Sequence, residues 1–412
     1  MSSYLTPPEF IYGEPIQYVD GSKNYVRVAP VSGQTFGPGD TFKINVNSND
    51  EILVQQKSYL KFDLALVGAT TTGNTAVISA LGCAAIFNRV TSYLGGVQLD
   101  DIQDYNTMLA KQYSTYPLTG KNTLKQTELY QNQAALTADA STATYGRTVC
   151  HALQVAPLNS NDKPVPVAFV AGGVTVEVEL APFSKLLASS SSGATSYQIT
   201  NVQFVACMIK PSDAYILDFK KGLDAGRVAK MPISITRNYK LTPSTASSEQ
   251  TLDISCGFHR SLRSVLGVQK LSTNISNVNA DEFALLTNNG LKSFYFQIGS
   301  QRWPRNAVIN VQNTSSSGPL SGEQAMMALC DIENDYPNMA CADVTQNTEQ
   351  MIFYPFASNP HFGSGEAVQD GKVILNLAYN VSPTSCTLSV FAKIDAIVNI
   401  DATNITLNTV DF

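Results

Sequence analysis

Two pairs of neighbouring carboxylates are the residues best suited to acid–base chemistry, Asp100-Asp101 and Asp281-Glu282. Two carboxyls flanking a sugar bond, one an acid and the other a nucleophile or base, would hydrolyse a glycoside, and β-sandwiches do host that reaction. A helix start or a solvated turn accounts for both pairs more simply, because a carboxylate there meets free backbone N–H groups. The three histidines, His151, His259 and His361, are far apart in the chain; a triad or metal site would need others beside them, and loop or surface positions are the ordinary reading. The basic residues at Lys220-Lys221 and around His259, Arg260 and Arg263 form short runs. They suit a solvated face or a subunit salt bridge better than a nucleic-acid groove.

Trp303 is the single tryptophan and sits between Arg302 and Arg305, before Pro304, in "GSQRWPRNAV". It could serve as a stacking platform for a ligand or as a plug in the core or at a subunit contact, and the plug is the expectation adopted. Gly299 ends an alternating strand where a positive φ would allow a sharp turn, and Pro304 biases Trp303 toward an extended backbone. "GSGEAVQDGK" has the wrong glycine spacing for a phosphate loop, and Val373 follows its lysine. HExxH and GxSxG are absent. No catalytic, cofactor-binding or metal-ligating residue is assigned; the expectation is a protein that is not an enzyme and uses no cofactor.

The elements that would carry these residues are mostly strands. Phe42, Ile44 and Val46 alternate with polar residues, as do Leu60, Phe62, Leu64 and Leu66, and Val174, Val176, Val178 and Leu180. "KSFYFQI", "KVILNLAY" and "TLSVFAKIDAIVNID" do the same in the second half. Period-two patterns mark half-buried strands. Clusters such as "FGPGD", "SSSSGAT" and "TNNG" separate them. Two helices are expected, one over about 100–113 capped by Asp100 or Asp101, the other over about 321–332 with Ser321 and Gln324 as a capping box. They belong to an internal repeat in which a strand, a glycine turn and a helix follow one another: "RVTSYLGGVQLDDIQDYNTML" and, later, "SFYFQIGSQRWPRNAVINV" followed by the helix at Ser321. The reading is all-β, two tandem eight-stranded jelly-roll sandwiches with a few short helices. Residues 1–40 form an N-terminal arm, 41–222 the first jelly roll and 223–412 the second, with the boundary near 218–232 where charge density rises.

Composition fits that reading. The 412 residues are 44% hydrophobic but only 15% charged, with a net charge of −6, against roughly 25% charged in an average domain. Ser, Thr, Asn and Gln supply the polarity, and such groups lose less than charges when subunits cover them. A negative chain offers no general basic face for nucleic acid, so sequence-specific binding is not expected. No apolar run is long enough to span a bilayer, and "MSSYLTPPEF" lacks the order of a signal peptide. The seven cysteines are dispersed, odd in number and without CxxC. Reduced, buried thiols in a cytosol-like compartment are expected.

"FYFQIGSQRWPRNAVINV" followed by "GEQAMMALC" resembles the second jelly roll of double jelly-roll major capsid proteins. "LSVFAKIDAIVNIDATNITLN" is similar to the family's closing strands, and "VNSNDEILVQQKSYLKFDLAL" with "FNRVTSYLGGVQLDDIQDYNTML" to its first jelly roll. The family includes the adenovirus hexon and the shell proteins of tailless membrane-containing phages, virophages and polinton-like viruses. The resemblance covers about residues 40–412 and lacks hexon's long tower insertions, which leaves the subgroup and host open; the chain resembles a compact member, most like the virophage and polinton-like branch.

That resemblance implies a structural protein of the virion, a homotrimer with six jelly rolls around a pseudo-sixfold axis that tiles an icosahedral shell. It implies contacts with neighbouring capsomers and with minor, penton or cement proteins, an inward-facing arm that could touch an internal membrane, and synthesis and folding in the host cytoplasm or nucleus. The alternative reading is a receptor- or carbohydrate-binding β-sandwich of spike or lectin type, for which Trp303 would be the platform.

Overall fold

The computed structural model describes residues 22–67, 78–116, 118–131, 147–159, 164–188, 195–254, 261–275, 277, 281–284, 286, 289–305, 308–310, 352–356, 365–366, 368, 372–401 and 405–409. In the first half the strands are β1 (Ser22–Val28), β2 (Thr41–Val46), β3 (Ile52–Leu53), β4 (Tyr59–Val67), β5 (Phe87–Leu94) and β6 (Val97–Gln103). Helices α1 (Tyr105–Thr115) and α2 (Leu118–Thr127) precede β7 (Arg147–His151), β8 (Val174–Leu180) and β9 (Ser196–Lys210). Helix α3 (Asp213–Asp224), whose N-cap Ser212 accepts the Tyr215 N–H, leads into the second half. There follow β10 (Ala229–Leu241), β11 (Glu249–Ile254), β12 (Leu262–Leu271), β13 (Leu291–Ile298), β14 (Gln301–Trp303), β15 (Ile309–Asn310), β16 (Ile352–Pro355), β17 (Val373–Tyr379), β18 (Cys386–Ile400) and β19 (Ile405–Thr409).

Alternation becomes burial as expected. Phe42, Ile44 and Val46 of β2 point inward while Thr41, Lys43 and Asn45 are exposed, and β8 and β17 alternate likewise. Each half carries two sheets. In the first, one sheet runs β1-β9-β4-β7 and the other β6-β5-β8-β2; in the second, one runs β10-β18-β12-β16 and the other β11-β17-β13-β14. Leaving aside the short β3, β15 and the terminal β19, each half has eight strands among the described residues. In both, the first, eighth, third and sixth strands make one sheet and the second, seventh, fourth and fifth the other. That shared order is the jelly roll, twice.

The expected repeat falls on equivalent places. "RVTSYLGGVQL" is the hairpin of the fourth and fifth strands, turning at Gly95 (φ 56°) and Gly96 (φ 85°). "SFYFQIGSQRW" is its counterpart, turning at Gly299, whose φ of 57° is the left-handed value expected of it.

Two expectations fail. Residues 1–40 were expected to be an arm; residues 1–21 lie outside the described residues, but Ser22–Val28 pair along their whole length with β9 and form the first strand of the first jelly roll. The helix expected from Asp100 begins at Tyr105, because Val97–Gln103 continue the hairpin as β6; Asp100 and Asp101 are strand residues, and Asp104 is the N-cap. The helix expected near Ser321 lies outside the described residues, as do His259, His361, Arg260, Cys256, Cys330 and Cys341.

The two halves share a sheet. β10, the first strand of the second jelly roll, lies parallel to β6, the fifth strand of the first, with Arg237 opposite Asp101, so eight strands in succession plus β19 form one sheet.

Candidate functional site at the seam between the halves

Asp100 sits at this seam. Adjacent strand residues point to opposite faces, so Asp100 is buried while Asp101 faces outward and takes both donors of Arg89 at 2.6 and 2.7 Å. The Asp100 carboxylate accepts the backbone N–H of Ala156 at 2.6 Å and, from the second half, that of Thr236 at 2.7 Å. Arg237 returns a bond from Nη1 to the carbonyl of Leu99 at 2.9 Å. Burial raises the Asp100 carboxyl to about 6, the two N–H donors holding it back from rising further.

A second set of charges lies farther along the seam. Lys270 of β12 is buried and places Nζ 2.9 Å from Glu282 Oε1 and 2.9 Å from Thr107 Oγ1 on α1. Lys185 of the first half bonds the other oxygen of Glu282. Asp104 receives Lys240 at 3.2 Å and Ser389 Oγ at 3.1 Å, with Lys270 at 3.9 Å. Burial pushes the carboxyls of Asp104 and Glu282 up, but the surrounding lysines outweigh it and hold both below their ordinary values. Asp281 accepts Ser79 Oγ at 2.8 Å and the Ala80 N–H at 2.6 Å from the first half, and the N–H groups of Phe283 and Ala284 from its own turn.

Both carboxylate pairs singled out in the sequence thus come to one seam, yet neither is a solvated turn, and three of the four carboxylates clamp the halves together. The sequence reading overlooked Lys270, Asp104 and Lys185. Lys270 near the end of a mostly apolar strand, "LRSVLGVQKL", is the local sign of the first.

Other candidates fall elsewhere. His151, expected in a loop or at the surface, is fully buried on β7. Its ring stacks on Phe87 at 4.7 Å, with Nδ1 3.1 Å from Glu128 Oε1 and Nε2 3.3 Å from Tyr105 Oη. Tyr113 donates to the second oxygen of Glu128 at 2.7 Å. This is a sealed polar cluster in the core. Arg263, expected on a solvated face or in a subunit salt bridge, is buried and paired with Asp395 at 3.3 Å within the second half. Lys220 and Lys221 are exposed on α3. Trp303 is half-buried on β14: Phe356 meets its ring edge-on at 6.0 Å, Arg305 lies 5.4 Å from the ring centroid, and the indole N–H is buried without an acceptor among the described residues. Cys83, Cys150, Cys207 and Cys386 are unpaired thiols, all but Cys150 fully buried. Among the described residues, no three His, Cys, Asp or Glu side chains converge as a metal site would require, and no helix is long and apolar enough to cross a membrane.

No protein-family model matches the sequence, and no curated protein does. Solved structures match over almost the whole chain. A capsid chain of the virus PBCV-1 superposes with a TM-score of 0.64 at 13% identity, covering 98% of this chain and 100% of that one. The Faustovirus major capsid protein gives 0.64 at 10% identity over 95% and 92%, and the Sputnik virophage particle 0.61 at 11% over 99% and 93%. With its strand order repeated in both halves, the chain has the double jelly-roll fold found in these viral capsid proteins.

Proposed function

We propose that the chain is the major capsid protein of an icosahedral virus, a structural subunit that forms pseudo-hexagonal homotrimers. The observation that carries this reading is the seam. Two units of one topology are fixed side by side by a shared sheet, by the Thr236 N–H on Asp100 and by the buried Lys185–Glu282 pair, and such a body is a ready-made pair of tiles. Trp303, with Phe356 against its ring and Arg305 beside it, does not offer the open platform that a glycan-binding alternative needs. The units are taken as residues 22–210 and 229–409, joined through α3. The partners are further copies of the chain, then neighbouring capsomers and minor shell proteins, with an internal membrane as a possible inner neighbour. Light scattering of the purified chain at micromolar concentration tests the reading. Three chains per particle, with hexagonal particles or shells in negative stain, support it; a stable monomer that forms no shells overturns it.

A further inference from the structure

The turn Asp281–Ala284 belongs to the second unit in sequence but is held by the first. There, the pairing of Ile78 with Leu187 and the Ser79 N–H on the Leu186 carbonyl at 2.8 Å bring the segments of Ser79 and Lys185 side by side. Ser79 Oγ and the Ala80 N–H both bond the Asp281 carboxylate, at 2.8 and 2.6 Å, and Lys185 bonds Glu282. Phe283 and, beyond the turn, Leu286 are buried in the apolar core.

Glu282 is the charge on which that contact depends. Its two oxygens meet one ammonium from each unit, Lys185 and, at 2.9 Å, Lys270 of β12. The two lysine side chains are 10% and 3% exposed and that of Glu282 3%, so water screens these charges little. Around them stand Asp104, 3.9 Å from Lys270 and 3.2 Å from Lys240, and Asp281 on the same turn. Lys111, one turn of α1 beyond Thr107, is buried as well. A proton on Glu282 removes the anion that Lys185 and Lys270 share and leaves two buried ammonium groups across the seam. Moving the turn out into water relieves them.

The Asp100 end is built differently. Its carboxylate is held by the N–H groups of Ala156 and Thr236, so a proton there strands no ammonium group.

We propose that the seam opens in acid at one end only: protonation of Glu282 releases the turn Asp281–Ala284 from the first unit, while the β6–β10 bridge at Arg237 and Asp101 keeps the units joined. Phe283 and Leu286 are uncovered by that release. The device works within one chain and stands apart from the capsid reading.

The titrations agree in sign. Burial pushes the Glu282 carboxyl up, but Lys270 and Lys185 outweigh it and hold the group below its ordinary 4.5. The closed turn therefore binds this proton more weakly than the open one, and acid favours opening. Asp104, where Lys270 and Lys240 likewise outweigh burial, acts in the same direction. Asp100 is raised by burial to about 6, so the closed seam binds that proton more tightly and acid favours closure at its end.

Amide hydrogen exchange on the full chain, read against intrinsic rates, tests the proposal. Between pH 7 and one pH unit below 4.5, protection at Ala80 and Phe283, whose N–H groups bond Asp281, should fall about tenfold and return on neutralisation. Protection at Ala156 and Thr236 should hold or rise. Lys185→Met, which leaves Glu282 paired with Lys270, should shrink the loss at Ala80, whereas Lys185→Arg, which keeps the charge, should respond as the wild type does. Equal losses at all four amides, no loss at Ala80 in the wild type, or a Lys185→Met chain that responds like the wild type overturns the proposal.

Discussion

The carboxylate of Asp100 in the first jelly roll takes the backbone N–H of Thr236 in the second at 2.7 Å, joining residues 136 apart in sequence. The acceptor is a buried charge, so this bond depends on pH as few inter-domain contacts do.

Asp100 has a folded value of about 6, raised above the ordinary 3.8 by burial. The ionised form therefore costs the folded state on the order of 3 kcal/mol at pH 7, and this cost fades as pH falls through 6 toward 4. Asp100→Asn has no such titration. The stability of the wild type relative to this variant should rise between pH 7 and 5 in urea unfolding; a difference that stays constant with pH would refute the assignment.

Glu282 works in the opposite direction. Lys270 and Lys185 overcome the effect of burial and hold its carboxyl below the ordinary value, so its contribution is complete above about pH 4.5 and is lost as pH falls through the folded value. Glu282→Gln leaves two ammonium groups at the seam without their carboxylate. A loss of about 3–5 kcal/mol is expected near neutral pH, and the variant should show less acid destabilisation than the wild type when the two are titrated side by side.

The hairpin turn of the first unit is pinned by the chain's last strand. A Cβ on Gly95 would come within 2.1 Å of Ile405 Cδ1, whereas one on Gly96 meets nothing within 4 Å. Both residues have positive φ, so Gly96→Ala carries only the backbone penalty, about 1–2 kcal/mol. Gly95→Ala should cost more, and Ile405→Ala in that background should recover part of the excess. Equal midpoints for the two glycine variants in denaturant would contradict this packing.

Trp303 is a partial plug. Trp303→Ala should cost about 2 kcal/mol in the isolated chain, less than the roughly 3–5 kcal/mol of a fully buried aromatic. Its fluorescence should be moderately quenched by iodide; full protection would place the ring deeper than the structure does.

Much of the sandwich was legible because its strands bury one face and expose the other. β2, β4, β8, β13 and β17 follow from alternating residues, and the glycine turns at Gly95 and Gly299 mark equivalent hairpins. β1 escaped because Ser22–Tyr25 are exposed on both faces, leaving no contrast to read. The end of β6 was taken for a helix start because Asp100 and Asp101 are N-cap types and Ile102, Tyr105 and Leu109 after them fit one helix face. The seam was hidden for a different reason. Its bonds join residues more than a hundred apart, such as Lys270 with Thr107 and Asp281 with Ser79, and a carboxylate on its own cannot reveal that its partner is a backbone N–H in another domain.

The bridge between Arg237 and Asp101 also bears on how a six-membered ring could be assembled. Six separate jelly rolls would have to find one another from solution, each giving up its own translational freedom. Tethering them in pairs makes every second docking step intramolecular, at an effective concentration set by the short α3 connection, commonly in the millimolar range. In the proposed trimer, two associations between chains would then take the place of five between separate units, with alternate contacts in register before the first two chains meet.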